Sequence, residues 1–494
     1  MFTILFTLTK KNRNKVSLFF VSLVVICTIR FEAICSEIGS VDLSKSVKVI
    51  NVFSGAPQAI DGPSKYAGFG DIAANLVASS EIKSRYPDKK VRLIVTSAFN
   101  RIDPLIPTTD EIVKIMAPQL DPSKKGVVQM YGDVEVVFIP VDFKKALQIN
   151  SMVSYYWELF KLKLVLPSHI PTSDLNLNFS AYPGGEQVLR MNTKVAIGVE
   201  EHYGDSNLVN LLYPFKSTRT ASVTELTSGP FSTGFMLTFN RPNSEQSINL
   251  IREWSESNGK VVPSGDFLPQ IAYSAGWRSI QIYIDALSKL EQPEKPIVLF
   301  VKDFPELNFK NLPKSVTVIP VKGLPHEVMS ALIQESYFSP LVTGDISYGQ
   351  ALSSVRSEGK SLIYESPEWK VESAFGTKKL IAKDLKVDAS LLDPMFMLTE
   401  ELDTLDLKGL NEKASKLAIF LNDKELQIKI SKSIINRQES WDIIGNIFKI
   451  ANHLIDDIGT QGLKNIKGSR SRDSLKSNIQ LLFGKGAQCV KYYD

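Results

Sequence analysis

A chain of 494 residues is too long for one compact core, and with domains of roughly 100–200 residues as the norm, two or three are expected. Hydrophobic residues at 44% and charged residues at 22% exclude a disordered or fibrous body. A net charge of +4, carried by interspersed acidic and basic residues, forms no concentrated basic stripe and makes no case for a nucleic-acid partner.

The first predicted element is an address. Lys10, Lys11, Arg13 and Lys15 precede the apolar run from Val16 to Ile29, the layout of a secretory signal, with Ala33 and Cys35 as small residues before a cleavage point near Ser36. An uncleaved anchor is the second reading and an N-terminal core helix the third. The signal reading implies secretory-pathway, exported or membrane-anchored localisation, with a membrane as a partner of residues 1–40. Cys27, Cys35 and Cys489 form no CxxC pair, and His169, His202, His326 and His453 have no ligand spacing, so neither zinc site nor disulfide framework is implied.

From residue 47 short β-rich runs alternate with helical stretches. Val47–Phe53 reads as a buried strand, followed by a Gly- and Pro-containing loop over 54–70 and a helix over 71–82 with Asp71 at its N-cap. Val91–Thr96 is the next strand, which completes the strand–helix–strand crossover of parallel sheets. A helix over 110–120 and strands over 134–141 and 194–199 come next. After a helix over 247–258 the rhythm restarts: strands at 268–273, 296–301, 316–321, 340–343 and 361–365 alternate with helices at 278–290, 325–336 and 348–358. The strands are apolar with little period-two alternation, as when both faces are covered by helices. From Leu398 the strands stop, 400–455 reads as several helices, and a basic tail begins at Gly459, either mobile or binding a partner or membrane. The fold class is therefore α/β: two Rossmann-like, doubly wound domains with a helical C-terminal extension. Its divisions fall at 41–258, 259–397 and 398–494.

Ligands of open parallel sheets bind at the carboxyl ends of the strands, near helix N-termini. Two loops meet that description. In Gly68-Phe69-Gly70-Asp71 the glycines Gly68 and Gly70 permit close backbone approach, and Asp71 either caps the helix or acts as a general base. In Thr343-Gly344-Asp345-Ile346-Ser347, Gly344 and the helix N-terminus can cradle a diphosphate, with Ser347 as a donor. Asp345 repels phosphate and fits better against sugar hydroxyls or a cation; an N-cap is its other reading. Tyr273, Tyr364 and Glu365 end neighbouring strands, where a carboxylate can hold ribose or sugar hydroxyls or simply be satisfied internally. Glu200, Glu201 and His202 are secondary candidates, against a solvated strand end.

This pair of loops resembles the signature loops of inverting GT-B glycosyltransferases. Gly70-Asp71-Ile72-Ala73 is similar to the Gly-Asp-Ile-Gly of protein-arginine rhamnosyltransferases and to the start of bacterial heptosyltransferases, departing at Ala73. Gly344-Asp345-Ile346-Ser347 is similar to the Gly-Glu-Asp-Ser of the same enzymes in its glycine and serine and in keeping a carboxylate. Ala351 and Gly359-Lys360 resemble the alanine and the glycine-lysine pair downstream of that motif. The resemblance implies an acceptor-binding first half with Gly68, Gly70 and the base Asp71, and a donor-binding second half with Asp345, Gly344, Ser347, Tyr364, Glu365 and Tyr273. It implies a nucleotide sugar as co-substrate, a glycan, lipid or protein as acceptor through a hydroxyl or amide-type nitrogen, and no cofactor or metal. Two other readings stay open: an exported two-domain ligand-binding protein without catalysis, and a nucleotide-sugar epimerase of the same fold.

Overall fold

Apolar, β-branched runs covered on both faces form parallel strands, and the computed structural model contains two such sheets. It describes residues 47–55, 69–98, 109–141, 170–179, 193, 195–200, 211–216, 223–226, 235–239, 241–356, 359–367, 371–448, 451–452 and 490–493.

The first sheet holds β1 (Val49–Gly55), β2 (Lys90–Ala98), β3 (Val128–Tyr131), β4 (Val134–Val141), β5 (Leu175–Asn178), β6 (Val195–Glu200) and β7 (Leu211–Lys216) in the order β3-β4-β2-β1-β5-β6-β7. The five inner strands are parallel; β3 and β7 are antiparallel edges. Helices α1 (Phe69–Arg85) and α2 (Thr109–Met116) belong to its crossovers. Strand β3 was not expected from the sequence: Gly132-Asp133, with Gly132 at φ +54°, closes a two-residue hairpin onto β4. Strand β5 was also unexpected, because buried Asn176 interrupts its apolar run.

The second sheet holds β9 (Leu268–Ala272), β10 (Ile297–Lys302), β11 (Val316–Val321), β12 (Leu341–Thr343), β13 (Ile363–Ser366) and β14 (Phe396–Leu398), all parallel, in the order β11-β10-β9-β12-β13-β14. Counted from β9, this is 3-2-1-4-5-6, the doubly wound order whose switch point falls between the first strand and the fourth. Helices α3 (Ser244–Ser257), α4 (Trp277–Leu287), α5 (His326–Glu335), α6 (Asp345–Ser354) and α7 (Val371–Leu385) accompany it. Helix α3, started by an Asn243–Gln246 capping box, packs against α5, and its Ile251 is buried in the core of the second sheet. Helices α8 (Thr399–Asp403), α9 (Leu407–Asn422) and α10 (Lys424–Arg437) form the C-terminal extension. Two Rossmann-like sheets with this extension make a GT-B-like fold.

Strands do not stop at Leu398: β15 (Val490–Tyr493) pairs antiparallel with β8 (Val223–Leu226). Most of the basic tail lies outside the described residues. So do residues 1–46, on which the signal and anchor readings rest. Those readings, and with them the secretory or membrane-anchored localisation and the membrane as partner, are corrected: among the described residues no helix is long and apolar enough to cross a membrane. For the anchor the physical reason is length, since the run from Val16 to Ile29 falls short of the ~20 apolar residues that a span requires.

The chain passes between the two halves twice. On the way out, 235–239 lies against α1 and α6; on the way back, 438–443 leads to a helical turn over 443–448. The two passages are hydrogen-bonded side by side, Phe235 N–H to Trp441 O at 2.6 Å and Ile443 N–H to Phe235 O at 3.1 Å. Phe235 packs edge-on against Trp441 and Tyr348, and Phe448 packs on Tyr86 at the end of α1. An ionic knot holds the same place. Glu81 accepts from Phe239 N–H at 3.0 Å and from Arg85 Nε at 2.8 Å, while Arg85 also reaches Asp442 at 2.5 Å. Helix α6 runs so close here that a Cβ on Gly349 would meet Met236 O at 2.5 Å.

Candidate functional site

Helices α1 and α6, which carry the two acidic candidates, touch each other. Their C-terminal ends converge on the outgoing passage, through Glu81 to Phe239 and Ser353 to Thr238. Each enters its sheet's crossover from the carboxyl end of a strand, so both N-termini belong to the carboxyl edges where such folds bind ligands.

In the first half, α1 begins at Phe69, three residues earlier than the N-cap reading of Asp71 requires. Gly70 and Asp71 therefore sit in its first turn. Buried Asn75 accepts from Phe179 N–H at 2.9 Å, which ties α1 to the end of β5 across the switch point between β1 and β5. Gly68, Glu201 and His202 lie outside the described residues, and Glu200 closes β6.

In the second half, the switch point between β9 and β12 collects most of the donor-side candidates. Tyr273 leaves β9 with its N–H on Leu341 O at 2.9 Å. Helix α6 starts three residues earlier than its apolar spacing suggests, so Asp345 is its first residue and Ser347 lies in its first turn. Gly344 is the N-cap at φ +79°, ψ 156°, a conformation that side chains other than hydrogen rarely adopt. Among the described residues no side chain is seen to cap this helix, and the space where a Gly344 Cβ would stand is open. Its first-turn amides are thus available to an anion.

Glu365 has another employment. Helix α4 has no side-chain cap at Gly276; instead buried Glu365, from β13, accepts from Ala275 N–H at 2.7 Å and from the Ser274 hydroxyl. Burial raises its pKa above the usual carboxylate range, and these hydrogen bonds only partly oppose that. Tyr364, the preceding residue, points to the opposite face and stacks on Tyr348 with ring centroids 4.2 Å apart, fully inside the core. Gly359-Lys360 lies before β13, at the other edge of the sheet, where Lys360 donates to Ser336 O at 2.8 Å.

One group was missed by the sequence reading. Lys302 closes β10 beside β9, its ammonium 5.7 Å from the centre of the Tyr273 ring and 5.1 Å from that of Phe304. Burial lowers its pKa, and the charge of Glu365 opposes the shift. A partly buried cation at the carboxyl edge suits a diphosphate. Among the described residues no three His, Cys, Asp or Glu side chains are grouped to hold a metal ion.

His326 opens α5 at the same edge. Its Nε2 is 2.8 Å from Gln350 Nε2, its Nδ1 is buried without a partner, and burial pushes its pKa down to about 4. A histidine kept neutral in the fold but protonated in the unfolded chain favours the fold above pH ~6.5, and this contribution is lost as pH falls toward about 4. Urea unfolding across that window should show stability rising with pH more steeply for the wild type than for His326→Gln; equal slopes would mean the ring titrates normally.

The chain matches no protein-family model and no curated protein. Among solved structures it is similar to MurG of Acinetobacter baumannii (11% identity, 82% of this chain and 99% of that one, TM-score 0.35). It is also similar to a family 9 glycosyl transferase of Veillonella parvula (10%, 81% and 100%, TM-score 0.30). The heptosyltransferase WaaC of E. coli, bound to ADP-2-deoxy-2-fluoro heptose, is a third (13%, 65% and 89%, TM-score 0.28). Likenesses this distant carry no argument for activity. The strand order and the groups at the switch point carry the argument instead.

Proposed function

We propose that this protein is a glycosyltransferase that moves a sugar from a nucleoside-diphosphate donor to an acceptor hydroxyl or amide-type nitrogen. The observation that supports it most is the switch point of the second sheet, where the uncapped N-terminus of α6, opened by Gly344, shares the carboxyl edge with Lys302. Helix amides and a fixed cation stabilise the negative charge that builds on a departing diphosphate, and because they are already oriented they need no rearrangement during the reaction.

In this reading the donor diphosphate lies on the first turn of α6, with Ser347 donating and Tyr273 alongside. Asp345 serves the sugar hydroxyls, and the acceptor approaches from the first half. Asp71, in the first turn of α1, takes the acceptor's proton as the acceptor oxygen or nitrogen forms its bond to the anomeric carbon. The bond from that carbon to the diphosphate breaks, and its electron pair leaves with the nucleotide.

A thermal-shift screen of the full chain against UDP, GDP, TDP and CMP sugars tests the donor site. At a hundredfold excess over its dissociation constant, a true donor adds about 2.7 kcal/mol of stability. Lys302→Met should weaken binding of that nucleotide about tenfold or more. With the donor known, Asp71→Asn should lower turnover by about 10²–10⁴-fold while leaving nucleotide binding unchanged. Asp345→Asn should act on the donor KM. Absence of a shift with every nucleotide, or full turnover in Asp71→Asn, would remove the donor or base assignment respectively.

A further inference from the structure

In the 3-2-1-4-5-6 order, the first strand and the helix after it form the usual seat for a pyrophosphate. A glycine lets the backbone approach the anion, and the first amides of the helix donate to it. In the second sheet that place is the turn Tyr273-Ser274-Ala275-Gly276, between β9 and α4. The turn is not sealed off, since Ala275, Gly276 and Trp277 are each partly exposed.

The seat is nevertheless taken. Glu365 is only 1% exposed and comes from β13, which is separated from β9 by β12. Its Oε2 lies 2.7 Å from Ala275 N and 3.4 Å from Gly276 N. The Ser274 hydroxyl donates to the same oxygen, and the Ser279 hydroxyl stands 2.6 Å behind it. Glu365 Oε1 is 3.1 Å from the point where a Gly276 Cβ would stand, so the glycine of the turn gives close approach to this carboxylate. Two oxygens held by successive backbone amides and a hydroxyl form the contact set of a bound phosphate, supplied here by the chain itself. Helix α6 differs: at Gly344 no side-chain cap hydrogen bond is seen among the described residues, and the space for a Cβ is open.

We infer that Glu365 is an intramolecular stand-in for a phosphate and determines specificity: by filling the seat at α4 it shuts out a dinucleotide's pyrophosphate and leaves the start of α6 to a donor's diphosphate. With the amides of the turn engaged, a phosphate arriving there finds its donors spent. The place of the diphosphate rests on the donor reading; the filling of α4 does not.

The atoms lost in Glu365→Ala are those of an acetate ion, so acetate probes the seat directly. In chloride the alanine variant should unfold at a lower urea midpoint than wild type. Acetate in place of chloride, at equal ionic strength, should restore most of the difference by mass action. Wild type should show no such gain, nor should Glu365→Gln, which removes the carboxylate but leaves the seat filled. Titration with pyrophosphate, read by calorimetry, should find one more equivalent on Glu365→Ala than on the other two proteins, and acetate should compete for that equivalent. If Glu365→Ala does not fold in chloride, its refolding yield in acetate against chloride answers the same question. Equal midpoints or yields in the two salts, or the same pyrophosphate stoichiometry in all three proteins, overturn the inference. Failure of the donor reading looks different: wild type then binds no pyrophosphate, while acetate still rescues the alanine variant.

Discussion

Replacing Arg85 with alanine should destabilise the protein by about 3–5 kcal/mol, the cost of removing one partner from a buried ion pair. Glu81 is only 3% exposed and Asp442 14%, and Arg85 lies between them at 2.8 and 2.5 Å. Without Arg85 both carboxylates face a site too dry to hydrate them. The loss would also reach the join between the halves, because Glu81 holds Phe239 N–H and Arg85 Nη2 is 3.4 Å from Leu237 O. Equilibrium unfolding in urea reads the effect, and Arg85→Lys, which keeps the charge but not the fork, should recover part of it. A cost below about 1 kcal/mol, the range of exposed pairs, would mean that water reaches the knot.

Glu365→Ala should cost about 1–3 kcal/mol, because it strands the Ala275 amide in the interior, while the Ser274 hydroxyl keeps Ser279 as a partner. Glu365→Gln retains an acceptor without the buried charge and should cost less. The pH dependence has a definite sign. The folded pKa of Glu365 is raised, so its contribution is fully present below the ordinary carboxylate pKa and is lost as pH rises through the raised value. Stability of wild type relative to Glu365→Gln should therefore decline with rising pH across that interval. If the alanine variant unfolds at the wild-type midpoint, Glu365 does not hold α4. Loosening Ser274 to Gly276 should also raise the donor KM through Tyr273, with little effect on a base in the first half.

Much of the second half could be read from the sequence because its strands are apolar runs that nothing else explains. Strands β10 and β11 fall within a residue of their expected limits. Strand β5 was hidden because a buried asparagine can occupy a central strand once its amide is satisfied: Asn176 accepts from the Ser173 hydroxyl at 2.5 Å, and its neighbour Asn51 donates to Pro171 O at 2.9 Å. Such partners come from distant or irregular segments, and periodicity does not record them. The same limit governed the site. The placement of Gly344 and Ser347 at the start of a helix was legible because a glycine before a helix has local meaning. Lys302 looks like an ordinary charged strand end until the sheet order sets β10 next to β9. Of the two readings of Glu365, the hydrogen bonds to Ala275 and Ser274 fit the internally satisfied one, though the sequence does not show that α4 begins without a cap. The apolar run at the N-terminus was over-read as an anchor, since it is shorter than a span requires.

The two passages between the halves also bear on how the chain is made. Phe448, which packs on Tyr86, and Asp442, which completes the pairing of Arg85 from 357 residues further along the chain, lie far downstream of α1. A ribosome releases about 5–20 residues per second and domains tend to fold as they emerge. The first half is then fully synthesised well before its last packing partners appear, whereas the second half has nearly all of its own sequence in one continuous stretch. The half that is translated first is the one finished last. Until residues 441–448 arrive, the C-terminal end of α1 is an open apolar and ionic surface, which makes truncation near residue 440 a defect of the amino-terminal half.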